Sequence, residues 1–141
     1  MEIDDAAILI KKAALEFDKI SNQILEKYEL TSAQYKVLKY LYEEAVNGVR
    51  ITDLERYYSM AHPTTIGIVR NLEKKGLTGY QDNPNDQRSR YIVPTKKALA
   101  IKDELVSAGE ILEMELTKNL NDKEHEELVN LLKKMIDVPN K

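Results

Sequence analysis

The stretch from Ala61 to Thr95, AHPTTIGIVRNLEKKGLTGYQDNPNDQRSRYIVPT, constrains this chain more than any other. It reads as a helix followed by a hairpin with an arginine-rich tip. Pro63 suits a first helical position, where a missing amide proton costs nothing. Thr65, Ile68, Val69 and Leu72 recur at helical steps and form one buried face. Thr64, Ile66, Gly67, Arg70 and Asn71 are left on the other faces, a small set with a single charge. Lys74 and Lys75 followed by Gly76 make a basic last turn closed by glycine. Leu77 to Gln81 and Arg90 to Val93 then read as two strands. The turn formers Asp82, Asn83, Pro84, Asn85 and Asp86 lie between them.

Such a unit suits a nucleic-acid duplex, the helix fitting the major groove and the hairpin tip reaching phosphates or the minor groove. Charge is distributed accordingly. From Ala61 to Lys97 there are seven Lys and Arg against three Asp and Glu, whereas the whole chain carries −3. The acidic remainder limits non-specific binding to polyanions. Charge alone leaves a second reading open, in which 74–75 and 88–90 are ordinary solvated side chains.

The flanking sequence supplies the rest of a helix-turn-helix. Thr31-Ser32-Ala33-Gln34 is a capping box, with Leu30 and Tyr35 placed as a hydrophobic staple. It opens a helix through Val37, Leu38 and Leu41 that ends before Asn47-Gly48. Val49 to Ile51 reads as a short third strand of the hairpin sheet. Thr52-Asp53-Leu54-Glu55 reads as a second capping box opening a short helix, and Ser59 to His62 as the turn into the helix at Pro63.

Upstream, a helix is expected from about Asp4 to Tyr28, with Ile10, Ala13, Phe17, Ile20 and Ile24 as its seam. Downstream, a helix of about twenty-five residues carrying Leu99, Leu105, Leu112, Leu116 and Leu120 is expected from Thr95. Asn121-Asp122-Lys123-Glu124 caps a last helix with the stripe Leu128, Leu131, Leu132 and Met135, and Pro139 lies beyond its end. These leucines exceed what one small winged unit can cover, so a two-fold dimer through the N-terminal and last two helices is the economical arrangement.

Here the residues carry a resemblance. Pro63-Thr64-Thr65 opening a helix, Leu72-Glu73-Lys74-Lys75-Gly76-Leu77 closing it and Asp86-Gln87-Arg88-Ser89 at the hairpin tip are similar in type and spacing to the multiple-antibiotic-resistance regulator (MarR) family. The resemblance is densest from Thr52 to Val93 and looser over the whole chain. It implies a mainly α fold with a small β-hairpin wing, a winged helix-turn-helix dimerised through N- and C-terminal helices. The whole of 1–141 would be one domain, with about 31–95 as the DNA-binding lobe and about 1–28 and 96–138 as dimerisation helices. It further implies a homodimeric, DNA-binding transcriptional regulator, a repressor, that binds a pseudo-palindromic operator and responds to a small aromatic effector. His62, Thr64, Thr65, Ile66 and Arg70 would face the major groove. Arg88 and Arg90 would enter the minor groove, with Asp86 orienting Arg88 by an ion pair. His62 has an alternative role, capping the turn.

Three positions depart from that pattern. Gly67 stands where many members place an arginine or another long polar side chain, Ala61 replaces the usual serine-like N-cap, and Pro94 sits at a strand exit. Among eight tyrosines and one phenylalanine, Tyr35, Tyr40, Tyr42, Tyr57 and Tyr58 cluster between the first two helices of the lobe. They either line an effector pocket, as the resemblance implies, or are core residues whose hydroxyls reach the surface.

Other chemistries find little footing. There is no cysteine, hence no disulfide framework or thiolate metal site. His125 in Glu124-His125-Glu126-Glu127 reads as a solvated helix residue rather than a metal ligand. There is no glycine-rich phosphate loop, nucleophile elbow or HExxH pattern, so neither an enzyme nor a cofactor is expected. No apolar run spans a membrane and the N-terminus lacks a signal-peptide pattern, so a soluble cytoplasmic protein is expected. The rival functions are a winged-helix module for protein contacts and a small-ligand sensor without DNA reading.

Overall fold

The computed structural model describes residues 3–136; Pro139 and the last residues of the expected dimerisation segment lie outside them. The elements are α1 (Ala6–Leu25), α2 (Ser32–Glu44), α3 (Ile51–Tyr58), α4 (His62–Lys74), β1 (Thr78–Gln81), β2 (Tyr91–Pro94), α5 (Lys96–Ala100), α6 (Lys102–Leu116) and α7 (Asp122–Ile136). The two strands form an antiparallel hairpin in which Thr78 faces Pro94 and Gln81 faces Tyr91. Helices with one small hairpin are the expected winged arrangement.

Side chains set most of the helix starts. Asp5 caps α1 by accepting the Ile8 amide at 2.9 Å. Thr31 and Gln34 form the expected reciprocal box on α2, with bonds of 3.1 and 3.2 Å, and the staple residues Leu30 and Tyr35 are both buried. Asn121 and Glu124 do the same for α7, at 3.0 and 2.8 Å. Each box satisfies two amides that would otherwise lack acceptors.

Three local expectations are corrected. Val49 to Ile51 is not a third strand. Ile92 donates its amide to the Val49 carbonyl at 2.7 Å, a single bridge, and Ile51 already belongs to α3. No Thr52–Glu55 box opens α3: the start lies two residues earlier, where the Asp53 carboxylate accepts the Arg50 amide at 2.8 Å, and Thr52 falls inside the helix. The helix expected from Thr95 breaks at Ile101 into α5 and α6. The Ala98 carbonyl accepts the Tyr42 hydroxyl at 2.7 Å and the Ile101 amide at 3.3 Å, a tighter turn that ends the α-helical register. Leu99 consequently points outward, 51% exposed.

The core is built around α2. Leu38 and Leu41 meet Leu54 of α3, Val69 and Leu72 of α4, Ile92 of β2 and Leu105 of α6, all essentially inaccessible to solvent. Each contributes about 1.5–3 kcal/mol through burial. α4 packs on α2 and α3, and α1 runs along α6. The C-terminal end of α4 is held firmly. Gly76 adopts φ +74°, a left-handed turn that side chains disfavour. Around it the Thr95 hydroxyl donates to the Gly76 carbonyl at 2.6 Å and the Lys97 ammonium to the Lys75 carbonyl at 2.8 Å. The Lys75 ammonium reaches Gln34 at 3.0 Å and the Glu29 carbonyl.

α7 is different, with none of its residues buried. Leu128, Leu131, Leu132 and Met135 are 37–64% exposed, and Ile8, Leu9, Ile10 and Leu15 of α1 are similarly uncovered.

Candidate nucleic-acid interface

α4 buries one face and presents another. Val69, Leu72 and Thr65 face the core, with Ile68 partly covered. Thr65 is therefore not available to a duplex: it is fully buried and its hydroxyl donates to the Ala61 carbonyl one turn back, at 3.0 Å. That expectation is corrected. Thr64 and Arg70 are exposed, and Ile66 is half-buried beside them. Gly67 leaves open space, since an added Cβ would meet nothing within 4 Å.

His62 occupies the first turn of α4, preceded by Ala61, whose side chain makes no capping bond. The His62 ring does not cap the turn. Its Nδ1 lies 2.5 Å from Oε1 of Glu55 on α3, and the side chain stays 67% exposed.

The wing tip is fixed by its own turn. Asn83 Oδ1 accepts the Asn85 amide and Asp86 Oδ1 accepts the Arg88 amide, both at 2.9 Å. Asp86 thus holds the Arg88 backbone rather than pairing with the guanidinium, correcting the expected ion pair. Two residues' separation within a turn favours this Asx geometry over a side-chain pair. Arg88 is exposed. Arg90 is exposed too, but its guanidinium carbon lies over the Tyr80 ring, 4.1 Å from its centroid.

Arg50 joins this surface without any local sequence signal for it. Arg50 and Thr52, at the start of α3, form a cleft of about 260 Å³ with Tyr80, Arg88, Ser89 and Arg90 of the wing. Three arginines line it, with Asp53 bridging Arg50 at 3.3 Å. The Asp53 contact raises the Arg50 pKa still further, so its charge is permanent. Spacing alone could not pair residue 50 with a hairpin tip almost forty residues later.

The tyrosines divide between two cavities. Tyr40, Tyr57 and Tyr58 pack on one another, with ring centroids 4.9–6.1 Å apart. With Tyr35, Phe17 and Leu116 they line a space of about 230 Å³ between α2, α3 and α6. Tyr42 is not in this group; it lines a separate space of about 390 Å³ with Lys102, Leu105 and Val106. Tyr35 lies between the two, its hydroxyl against Gly109, where any Cβ would collide with it. His125 is not simply solvated, because its Nε2 lies 2.8 Å from Glu113, a residue lining both cavities. Among the described residues no cluster of three or more metal-ligating side chains occurs, and no helix is long and apolar enough to cross a membrane.

Two half-buried tyrosines give this region a pH signature. Tyr42 donates to Ala98 and Tyr58 to the Lys36 carbonyl, each at 2.7 Å. Burial pushes Tyr42 up to about 12 and raises Tyr58 further, the latter aided by Tyr57 and Glu43. An unfolded tyrosine ionises near pH 10, so above that pH the unfolded state binds fewer protons than the native one. The stabilisation is complete below about pH 10 and is lost as pH rises through the folded values. Denaturant midpoints should therefore fall over that alkaline range, and Tyr42→Phe should flatten the fall. An unchanged slope in Tyr42→Phe would remove Tyr42 from the account.

Comparison with known proteins agrees with this geometry. Residues 30–89 match the model of the MarR family. The multiple antibiotic resistance protein MarR of Escherichia coli (strain K12) is 30% identical over 120 residues, covering 84% of this chain and 82% of the relative. The chain belongs to the MarR family. The HTH-type transcriptional regulator MgrA of Staphylococcus aureus is also 30% identical, over 82% of this MarR-family chain and 76% of its own length. Among solved structures, the S. aureus MepR–DNA complex superposes with a TM-score of 0.84 at 25% identity, covering 95% and 98% of the two chains. A mutant MarR from E. coli complexed with operator DNA superposes at 0.80 with 29% identity, covering 92% and 91%. MgrA is named as a transcriptional regulator, MepR and MarR are seen with DNA, and this chain shares the winged-helix fold of these structures.

Proposed function

We propose that this protein is a homodimeric repressor that reads a pseudo-palindromic operator with α4 and grips its backbone with the wing. The observation carrying the proposal is the presentation of α4. Its apolar face is locked against α2 and α3 while Thr64, Arg70 and the flank of Ile66 are turned outward, and Arg50, Arg88 and Arg90 gather at a cleft between α3 and the wing. A helix with an outward polar face and arginines gathered at the wing after it fits a major groove and its flanking phosphates. Two of the similar structures were determined with DNA, which supports the same use here.

The residues take distinct parts. Thr64, Ile66, Arg70 and His62 meet base edges, Arg88 enters the minor groove, and Arg50 with Arg90 contacts phosphates. Thr65 supports the helix from inside. The uncovered faces of α1 and α7 pack on a second copy, so about 1–28 and 96–138 serve as dimerisation segments around the lobe at about 31–95. The two cavities between α2 and α6 are where a small aromatic effector would act, the larger lying in the size range of ligand pockets.

Mobility shifts against fragments of the source genome, followed by footprinting, test the proposal. Protection should appear as an inverted repeat whose half-sites lie about 34 Å apart. Uniform binding to all fragments, or protection of one isolated half-site by a single protomer, would contradict it.

A further inference from the structure

The contact between Glu55 and His62 bears on what α4 can read. We infer that Glu55 is a positioning residue that fixes the proton of His62, so that His62 selects an amino base, adenine or cytosine, over a keto base, guanine or thymine. The inference rests on the DNA-binding proposal above.

His62 stands in the first turn of α4 and is two-thirds exposed, while Glu55 on α3 is only 21% exposed. The first turn of a recognition helix is the part that approaches base edges. A neutral imidazole carries one donor and one acceptor nitrogen, and which is which depends on its neighbours. An ionised carboxylate can only accept. Glu55 Oε1 at 2.5 Å from Nδ1 therefore requires the proton on Nδ1, which leaves Nε2 with a lone pair. A neutral ring held this way offers the duplex an acceptor and no donor. In the major groove the exocyclic donors are N6 of adenine and N4 of cytosine, whereas O6 of guanine and O4 of thymine only accept. Were the ring free, it could turn or change tautomer and accommodate either class.

Glu55 is well placed to hold that choice. It belongs to α3, which packs on α4, and its backbone carbonyl accepts the Met60 amide at 3.0 Å across the turn between them. The carboxylate thus starts from a fixed backbone, and a second nitrogen arrangement at His62 would leave two acceptors facing each other.

The test is selection from a pool of duplexes with randomised centres, performed well above the pH range in which histidines ordinarily titrate. Wild-type protein is compared with Glu55→Gln, Glu55→Ala, His62→Ala and the Glu55→Ala/His62→Ala double variant. Wild type should show one pair of symmetry-related positions preferring amino over keto bases by about fivefold, the worth of one hydrogen bond. His62→Ala should abolish that preference and leave the other positions intact. Both Glu55 variants should reduce it to near parity, glutamine because its amide can donate as well as accept, and the double variant should lose nothing more. Unchanged melting temperatures separate this from misfolding. The inference is overturned if the Glu55 variants keep the preference, if the His62-dependent position favours guanine, or if His62→Ala leaves the motif unaltered. Wild-type protein that enriches no sequence overturns the DNA-binding proposal along with it, whereas a clear motif without the amino preference overturns this inference alone.

Discussion

Removal of the chain from Asp122 onward is expected to convert a stable dimer into monomer or aggregate and to abolish operator binding. Within one chain α7 buries none of its residues. Ile111 and Met114 of α6 are 51% and 69% exposed, and the outer side of α1 is equally uncovered. Apolar surface on this scale, spread over three helices, is unusual for a monomer. A gentler variant isolates the interface from the loss of a helix. Leu131, 64% exposed, can be changed to glutamate without disturbing any core residue of its own chain. Burying that leucine in a dimer is worth about 1.5–3 kcal/mol per protomer, and two-fold symmetry doubles it. The dimer dissociation constant should rise at least about a hundredfold, before counting the cost of an unpaired buried charge. Sedimentation across protein concentration gives the answer. A Leu131→Glu protein that remains dimeric with unchanged affinity would show that α7 is not in the interface.

Arg88→Ala should produce the second large effect, on DNA affinity and not on stability. The side chain projects from a tip whose backbone is fixed by Asn83 and Asp86, so the turn survives truncation beyond Cβ. Exposed substitutions of this kind usually change stability by less than about 0.5 kcal/mol. A guanidinium suits a narrow minor groove because it is planar, permanently charged and weakly hydrated. Withdrawing one such guanidinium from its groove should cost about 1–3 kcal/mol, hence about 2–6 kcal/mol for a dimer. The dependence of affinity on salt should weaken by about one cation per protomer. Binding of one operator and one scrambled duplex, titrated at several salt concentrations, measures both quantities. If affinity and slope are unchanged while the fold is intact, the wing does not touch DNA.

What could be foreseen from the sequence was local chemistry with one strong outcome. Thr31 with Gln34 and Asn121 with Glu124 need only residues three apart, and both boxes formed. The periodic apolar residues of α4 likewise determined its buried face, and that face necessarily took Thr65 inward. Where two local outcomes competed, the residues alone did not decide. Val49 to Ile51 has β-branched residues that suit a strand, yet Asp53 captures the Arg50 amide and starts a helix. Nothing in Ala98 to Lys102 breaks a helix, and the break comes from Tyr42, whose hydroxyl reaches a carbonyl 56 residues away. The same holds for the interface. The exposed arginines of α4 and the wing were recognisable one by one, whereas Arg50 beside the wing and Glu55 against His62 depend on how elements meet across turns.

The bonding at the two ends of α4 makes it a cantilever. Its C-terminal end is bolted through Lys75, Gly76, Thr95 and Lys97 to three neighbouring segments, while its first turn has no side-chain cap and leans on Glu55. At 1.5 Å per residue the helix is about 20 Å long. A tilt of about 5° about the anchored end therefore carries the free end through roughly 2 Å. Hydrogen bonds to bases tolerate only a few tenths of an ångström, so such a tilt would erase the readout proposed for His62 and Thr64. The anchored end, and the wing that leaves from it, would barely move. On the proposed division of roles, sequence discrimination and backbone grip are mechanically separable, and a small push on α2 or α3 would be enough to loosen the first while sparing the second.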